Sequence, residues 1–375
     1  HRQLAENRKA LRAIMPAMKL RELGEFELIE RMALIFRQDR AAAADAAAAF
    51  SRLAVGIGDD AAVWEESAGR FTIATTDAMV EGVHFTPTTT GWYDLGWKAM
   101  ASNISDIAGM GGIPLYALAV LGARGDRDQE EIIELCRGMA DLAADSGTLI
   151  VGGDTVSSSV TMVTITVLGE TTAGREAGGE LPILSRFAAR PGHLLAVTGR
   201  LGSSAGGLEL LLKQGEGGVS PALEPLVEAH RRPKPRVREG RILVEAGVRC
   251  GMDMSDGLVQ DLTRICRASG VSATVEVERL PVDPLLRQAF GDRAIDLALA
   301  GGEDYELLCA APPDTIREAQ LLLHAAGTTL TVVGRVLEQQ VGRPPVMLVD
   351  PDGRVRAPAR SGWEHFTTSV DAAGH

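Results

Sequence analysis

Thiolate chemistry is nearly absent from this sequence: only 4 of its 375 residues are cysteine, and none of them is spaced C-x-x-C. Cys136, Cys250, Cys266 and Cys309 each lie in apolar surroundings, which excludes a structural zinc site and predicts reduced core thiols in a cytoplasmic protein. No apolar run approaches the ~20 residues that span a bilayer, and the first residues lack the apolar core of a signal peptide. The chain is therefore expected to be soluble. Positive charge is also short, with 38 Lys and Arg against 50 Asp and Glu and a formal charge of -12, which disfavours a nucleic-acid surface. The densest basic run, Arg231 to Arg236, is broken by Pro233 and Pro235 and reads as a loop. No G-x-x-x-x-G-K-[ST] phosphate loop occurs, nor any Ser or Cys beside a placed base, so covalent catalysis has no carrier.

What the chain does have is length, with 45% hydrophobic residues, enough for two domains with separate cores. Residues 1–23 read as an N-terminal extension, residues 24–172 as a first domain and residues 173–375 as a second. Phe26 to Phe36 carries apolar residues at helical spacing, and the alanine-rich stretch 41–49 reads as helix or linker. Phe71 to Asp77 reads as a strand that delivers Thr75, Thr76 and Asp77 to its end. Leu95 to Met110 reads as a helix whose residues Ser102, Asn103 and Asp106 share a polar strip. A strand over 114–123 follows, then a capping box at Asp128 and Glu131 opening a helix to Ala144. Thr148 to Val151 reads as a buried strand leading into Gly152, Gly153 and Asp154, and 160–170 as another strand. This order describes a mixed α/β domain.

The Gly- and Thr-rich stretch 171–180 marks the boundary. A strand over 194–198 then precedes a Gly/Ser loop, 199–207, that suits either an anion site at a helix start or a simple tight turn. Asp253, Ser255 and Asp256 head a helix through Cys266, with Asp256 open to reading as its N-cap. Gly301 to Glu306 joins a further glycine turn to acids and a strand, and 331–336 is strand-like.

The centre of the pattern is Gly56, Ile57, Gly58, Asp59 and Asp60, a bendable turn ending in adjacent carboxylates. Two unit charges ~4 Å apart repel by roughly 4 kcal/mol at an effective dielectric near 20, so folding them together calls for a cation. Asp60, Asp77, Asp106, Asp154, Asp253 and Asp256 all fall at glycine turns, strand ends or a polar helix strip within otherwise apolar segments. Carboxylates in that number, with few clustered cations, suit hard divalent ions such as Mg²⁺, and an acidic protein handling ATP would need that screen. Phosphoryl transfer is the chemistry that uses such an assembly.

These motifs together, with Thr76–Asp77, Gly82–Val83–His84–Phe85, Asn103–Ile104–Ser105–Asp106, Gly152–Gly153–Asp154–Thr155, Asp253 to Gly257 and Gly302 to Glu306, resemble the thiamine-monophosphate kinases, over roughly residues 24–366. The resemblance implies the two-domain aminoimidazole ribonucleotide synthetase-like fold, with an N-terminal mixed sheet that pairs in a dimer barrel and a C-terminal α/β domain. It implies a homodimer that phosphorylates thiamine monophosphate with ATP. It further implies that Asp60, Thr75, Thr76, Asp77, Asp106, Asp154, Asp253 and Asp256 bind several Mg²⁺ ions. Gly153, Asp154, Arg186 and Ser255 would contact ATP, and His84, Glu303 and Trp363 the thiamine phosphate. Taken alone, His84 also reads as a polar core residue and Trp363 as a core anchor. Two alternatives stand beside this: another ATP-dependent enzyme of the superfamily, such as a selenophosphate or aminoimidazole ribonucleotide synthetase, or a non-catalytic nucleotide-binding module. No Cys precedes position 136, where a selenophosphate synthetase would carry its reactive residue.

Overall fold

The structure, a computed structural model, describes residues 19–23, 25–38, 51–67, 69–172, 174, 181–213, 218–340, 342–360 and 362–363. The readings made for residues 1–18, the alanine-rich stretch 41–49, the boundary segment 175–180 and the tail beyond Trp363 lie outside these residues. The chain divides into two units, one of residues 1–50 with 364–374 and one essentially of residues 51–363. The described part of the first comprises helices Leu20–Leu23 and Glu25–Gln38, the latter where the helical spacing predicts it. The site lies wholly in the second.

The N-terminal half of that unit runs β1 (Leu53–Val55), β2 (Ala62–Ser67), β3 (Arg70–Val80), α1 (Trp92–Gly109), β4 (Ile113–Ala123), α2 (Gln129–Ser146), β5 (Leu149–Ser157) and β6 (Met162–Glu170). Its six strands order as β1-β2-β3-β6-β4-β5, antiparallel except for the β4–β5 pair. Alternation sets the faces: Phe71 and Ile73 on β3 and Val163, Ile165 and Val167 on β6 are buried, and the threonines between them face the other way. Leu95, Met100, Ile104 and Ile107 of α1 complete this core, and burial of each such side chain is worth about 1.5–3 kcal/mol. The helix is thereby fixed on one face of the sheet, with its polar strip aimed at β3.

Several local readings need correction. β5 is not buried; it is an edge strand, with Leu149 62% and Val151 57% exposed, because only β4 pairs with it. β3 continues past Asp77 to Val80, paired with β6 along this stretch while β2 ends opposite Ala74, so Thr75 to Asp77 lie within the β3–β6 ladder rather than at a strand end. Asp128 is the N-cap residue of α2, but its side chain makes no capping bond. Cys136 is exposed, unlike the buried Cys250, Cys266 and Cys309.

The C-terminal half runs β7 (Leu194–Thr198), α3 (Ser203–Lys213), α4 (Glu224–Arg231), α5 (Val237–Glu245), β8 (Cys250–Asp253), α6 (Leu258–Ser269), β9 (Val271–Glu276), α7 (Pro284–Phe290), α8 (Arg293–Ala300), β10 (Leu307–Ala311), α9 (Pro313–Ala325), β11 (Leu330–Glu338), β12 (Val346–Val349) and β13 (Val355–Arg356). Its sheet orders as β13-β12-β9-β11-β7-β10-β8, mostly antiparallel with β12 parallel to β9. The fold is thus a mixed α+β arrangement of two sheets, and the strands described form no closed barrel within one chain. Among the described residues no helix is long and apolar enough to cross a membrane.

Candidate active site

Three segments far apart in sequence deliver carboxylates to one point. Asp60 follows the Gly56 to Asp59 turn, Asp106 comes from the polar strip of α1, and Asp253 ends β8. Their oxygens lie within 4.8 Å of one another. Two of them are anchored by hydroxyls: Thr75 Oγ1 donates to Asp106 Oδ2 at 2.6 Å, and Ser105 Oγ donates to Asp253 Oδ2 at 2.6 Å. Burial, then the neighbouring charges, pushes Asp106 and Asp253 well above the usual carboxylate range; Asp77 leads those neighbours for Asp106 and Asp60 for Asp253. Asp77 is therefore electrostatically part of the group, and its backbone N–H is fixed by Asn103 Oδ1 at 2.9 Å. Asn103 and Asp106 both face β3, as their three-residue spacing on one helix face predicts.

The cations near this group come from the C-terminal half. Arg186 forms an ion pair with Asp60, and its backbone N–H donates to Asp59 Oδ2 at 3.2 Å. Ser185 Oγ donates to the same Asp59 oxygen at 2.7 Å. Asp59 is nonetheless pushed up to about 7 by burial and then by Asp60. Although burial pulls Arg186 down, Asp60 and Asp59 hold it above its ordinary value. One oxygen, Asp60 Oδ2, stays buried with no hydrogen-bond partner among the described residues. A Cβ on Gly109 would lie 2.6 Å from that oxygen and 2.8 Å from the Asp253 nitrogen, so only glycine leaves this space open. An orphaned carboxylate oxygen among buried, mutually repelling acids fits a hard divalent cation.

The remaining predicted residues lie at varying distances from this point. Thr76 faces the opposite side of β3, where its hydroxyl bonds Ile165 O at 3.1 Å and Thr166 Oγ1 at 3.0 Å. Asp154 is outside the three-carboxylate group, on exposed β5, and accepts from Thr155 N at 2.8 Å. Gly153 beside it runs so close to β4 that a Cβ would strike the Ala119 carbonyl. Asp256 is not an N-cap by its side chain: Gly257 holds that position, and Asp261 Oδ2 accepts from the N–H groups of Asp256 and Gly257 at 3.1 and 3.0 Å. The Asp256 carboxylate instead pairs with Arg264. Ser255 offers its carbonyl to Glu303 N at 2.8 Å, and Trp363 N donates to Asp256 O at 3.2 Å, which brings residues 255, 256, 303 and 363 together. His84 is half-buried, and its Nδ1 accepts from Val80 N at 3.0 Å.

Sequence reasoning placed Asp59 in the central turn but gave it no role of its own, and it assigned none to Ser105, Gly109, Ser185, Asp261 or Lys98. Ser105 and Gly109 follow the α1 strip, so helical periodicity pointed near them. Lys98 carries no such signal. It is fully buried on α1, with Nζ 2.6 Å from Glu303 Oε2.

Comparison with known proteins decides what this arrangement belongs to. Residues 58–171 match the AIR synthase related protein, N-terminal domain, and residues 190–346 its C-terminal domain. The chain is 35% identical over 318 residues to the thiamine-monophosphate kinase of Bacillus subtilis (strain 168), covering 84% of this chain and 94% of that one. The chain belongs to the thiamine-monophosphate kinase family. Among solved structures, AaThiL complexed with AMPPCP and TMP superposes with a TM-score of 0.77 at 30% identity, covering 94% of this chain and 100% of that one. The thiamine-monophosphate kinase from Stenotrophomonas maltophilia K279a gives a TM-score of 0.67 at 32% identity, covering 86% of this chain and 96% of that one. Both halves of the kinase fold, and so both sides of the carboxylate group, fall within these matches.

Proposed function

We propose that this chain catalyses ATP-dependent phosphorylation of thiamine monophosphate to thiamine diphosphate, the γ-phosphate passing directly between the two bound substrates. The observation that carries this is the meeting of Asp60, Asp106 and Asp253 around an unpartnered carboxylate oxygen. Mg²⁺ would be held as several ions, one by Asp60, Asp106 and Asp253 and others with Asp77, Thr75, Thr76, Asp154 and Asp256 among their ligands. When bound it neutralises phosphate charge and aligns the two polyanions. Gly153, Asp154, Arg186 and Ser255 are assigned to ATP, and His84, Glu303 and Trp363 to the acceptor. The AMPPCP and TMP named in the AaThiL complex support both assignments of substrate.

The chain's own part in the reaction is to position and neutralise. Arg186 is tethered through its backbone to Asp59, so its guanidinium can exchange the Asp60 carboxylate for a phosphate oxygen without the loop moving. Thr75 and Ser105 keep Asp106 and Asp253 in register as charge arrives. No nucleophile is required of the protein. A phosphate monoester is largely dianionic at neutral pH, its second pKa being near 6, and attacks without a strong base.

The N-terminal domain, residues 24–172, would bind metal and ATP and form the subunit interface of a cytoplasmic homodimer, with residues 173–375 as the second domain. The two family matches at 58–171 and 190–346 support this division. The test is ADP release with Mg²⁺ and ATP against thiamine monophosphate and free thiamine separately. Thiamine diphosphate forms only from the monophosphate if the reading holds. Rapid phosphorylation of free thiamine, or a phosphoenzyme trapped without acceptor, would refute it. A chain that binds ATP but releases no ADP with either compound would be a nucleotide-binding module.

A further inference from the structure

A lysine with no exposed surface needs a reason to be where it is, since an enclosed ammonium is costly unless paired. Lys98 is 0% exposed, on a turn of α1 otherwise packed into the apolar core. Its Nζ lies 2.6 Å from Glu303 Oε2 and 3.3 and 3.5 Å from the ring nitrogens of His230. Burial first, then Lys98 and Arg231, holds His230 well below its ordinary value, so the ring is neutral and adds an acceptor rather than a competing cation. Ser204 Oγ, 3.1 Å from Nδ1, fixes the ring in turn.

Glu303 is held differently from its partner. Its side chain is 25% exposed, Oε2 is committed to Lys98, and Oε1 has no hydrogen bond among the described residues. Its backbone is in the left-handed region at φ 65, as is Tyr305 at φ 49, conformations that persist only when the surroundings impose them. The imposing contacts are Glu303 N to Ser255 O at 2.8 Å and Tyr305 N to Met254 O at 3.0 Å. Main chain and carboxylate are thus fixed independently, beside Ser255 and Asp256.

We propose that Lys98 is a positioning residue: from beneath the site it fixes the Glu303 carboxylate so that Oε1 meets a hydrogen-bond donor or cationic ring of the acceptor. This rests on Glu303 being an acceptor-binding residue, as assigned above. Lys98 has no surface from which to touch the acceptor, so its influence passes through Glu303 alone.

Steady-state kinetics of the full chain with Mg²⁺, ATP and thiamine monophosphate test this in Lys98→Met, Glu303→Gln and the double variant. Lys98→Met is expected to raise the acceptor KM about tenfold to a hundredfold, the range for a hydrogen bond to a charged group, with kcat and the ATP KM within about twofold. A merely structural lysine would lower kcat and raise both KM values together, or lower the melting temperature alone. The double variant is expected to match Glu303→Gln. An unchanged acceptor KM in Lys98→Met, beside a raised one in Glu303→Gln, overturns the role of Lys98 and leaves that of Glu303. An unchanged acceptor KM in Glu303→Gln overturns the assignment of Glu303 and the role of Lys98 with it. A wild type that leaves thiamine monophosphate unphosphorylated refutes the substrate, and with it this role. Where Lys98→Met fails to fold because Glu303 is left unpaired, the double variant, which buries neither charge, decides: a KM above that of Glu303→Gln overturns the proposal.

Discussion

Asp106 shows how much a single position is asked to do. It is half-buried among Asp77, Asp253 and Asp60, and Thr75 Oγ1 at 2.6 Å is the hydrogen bond that offsets this repulsion. Because burial and those neighbours raise it, the stability it lends the metal-free fold is present below the ordinary carboxylate pKa and is lost as pH rises through the raised value. Asparagine mimics the protonated acid and still accepts from Thr75. We therefore expect Asp106→Asn to melt no lower than wild type in EDTA at pH 8, while turnover falls on the order of 10³-fold, about 4 kcal/mol of lost charge stabilisation. Mg²⁺ should raise the wild-type melting temperature and leave that of Asp106→Asn nearly unchanged, since a ligand stabilises only the state that binds it. Differential scanning fluorimetry with and without Mg²⁺ reads both. Near wild-type turnover at saturating Mg²⁺ would remove Asp106 from the metal site.

At the scale of elements, helix α3 carries its own test. The Gly/Ser loop before it fits either an anion site or a tight turn by sequence, and the structure fills it with the chain's own anion: Asp304 accepts from Gly202 N at 2.6 Å and Ser204 N at 3.1 Å. Burial pushes Asp304 up to about 7 despite those two bonds. A raised acid binds its proton more tightly folded than unfolded, so its contribution is full below about 4 and is lost as pH climbs through about 7, at most about 1.4 kcal/mol per pH unit. Urea midpoints from pH 5 to 8 should therefore fall less steeply in Asp304→Asn than in wild type, and parallel curves would refute the raised value. The same loop marks the limit of what sequence could reveal. Periodicity located α1, α2, β3, β4 and β6 because each has a full-length apolar stripe, and it placed Asp60, Asp106 and Asp253 in the segments that converge. It missed Lys98 and Asp261 because a buried charge in a helix looks, residue by residue, like a solvated one. It misjudged β5 because Leu149, Ile150 and Val151 form an apolar run that reads as interior, whereas the strand lies at an edge.

That edge bears on the molecule as a whole. Helices α1 and α2 cover one face of the six-stranded sheet, and on the other Tyr116 and Leu118 of β4 are 47% and 41% exposed. Leu149, Val151 and Val156 of the neighbouring β5, whose outer edge has no partner strand among the described residues, are 62%, 57% and 42% exposed. A long edge with so many exposed apolar side chains is an aggregation liability that proteins cover. The occupant we favour is a second copy, because a twofold interface presents the same apolar strand to itself and would bury both edges at once. Asp154 and Gly153 lie on that same strand, so the pairing would also order residues assigned to ATP. Val151→Lys places a charge at the middle of the contact without touching the carboxylate group. It should shift the sedimentation coefficient from dimer to monomer and raise the ATP KM, and it should leave the far-ultraviolet circular dichroism unchanged. A wild type that sediments as a monomer at all concentrations would show that another occupant, or none, covers this face.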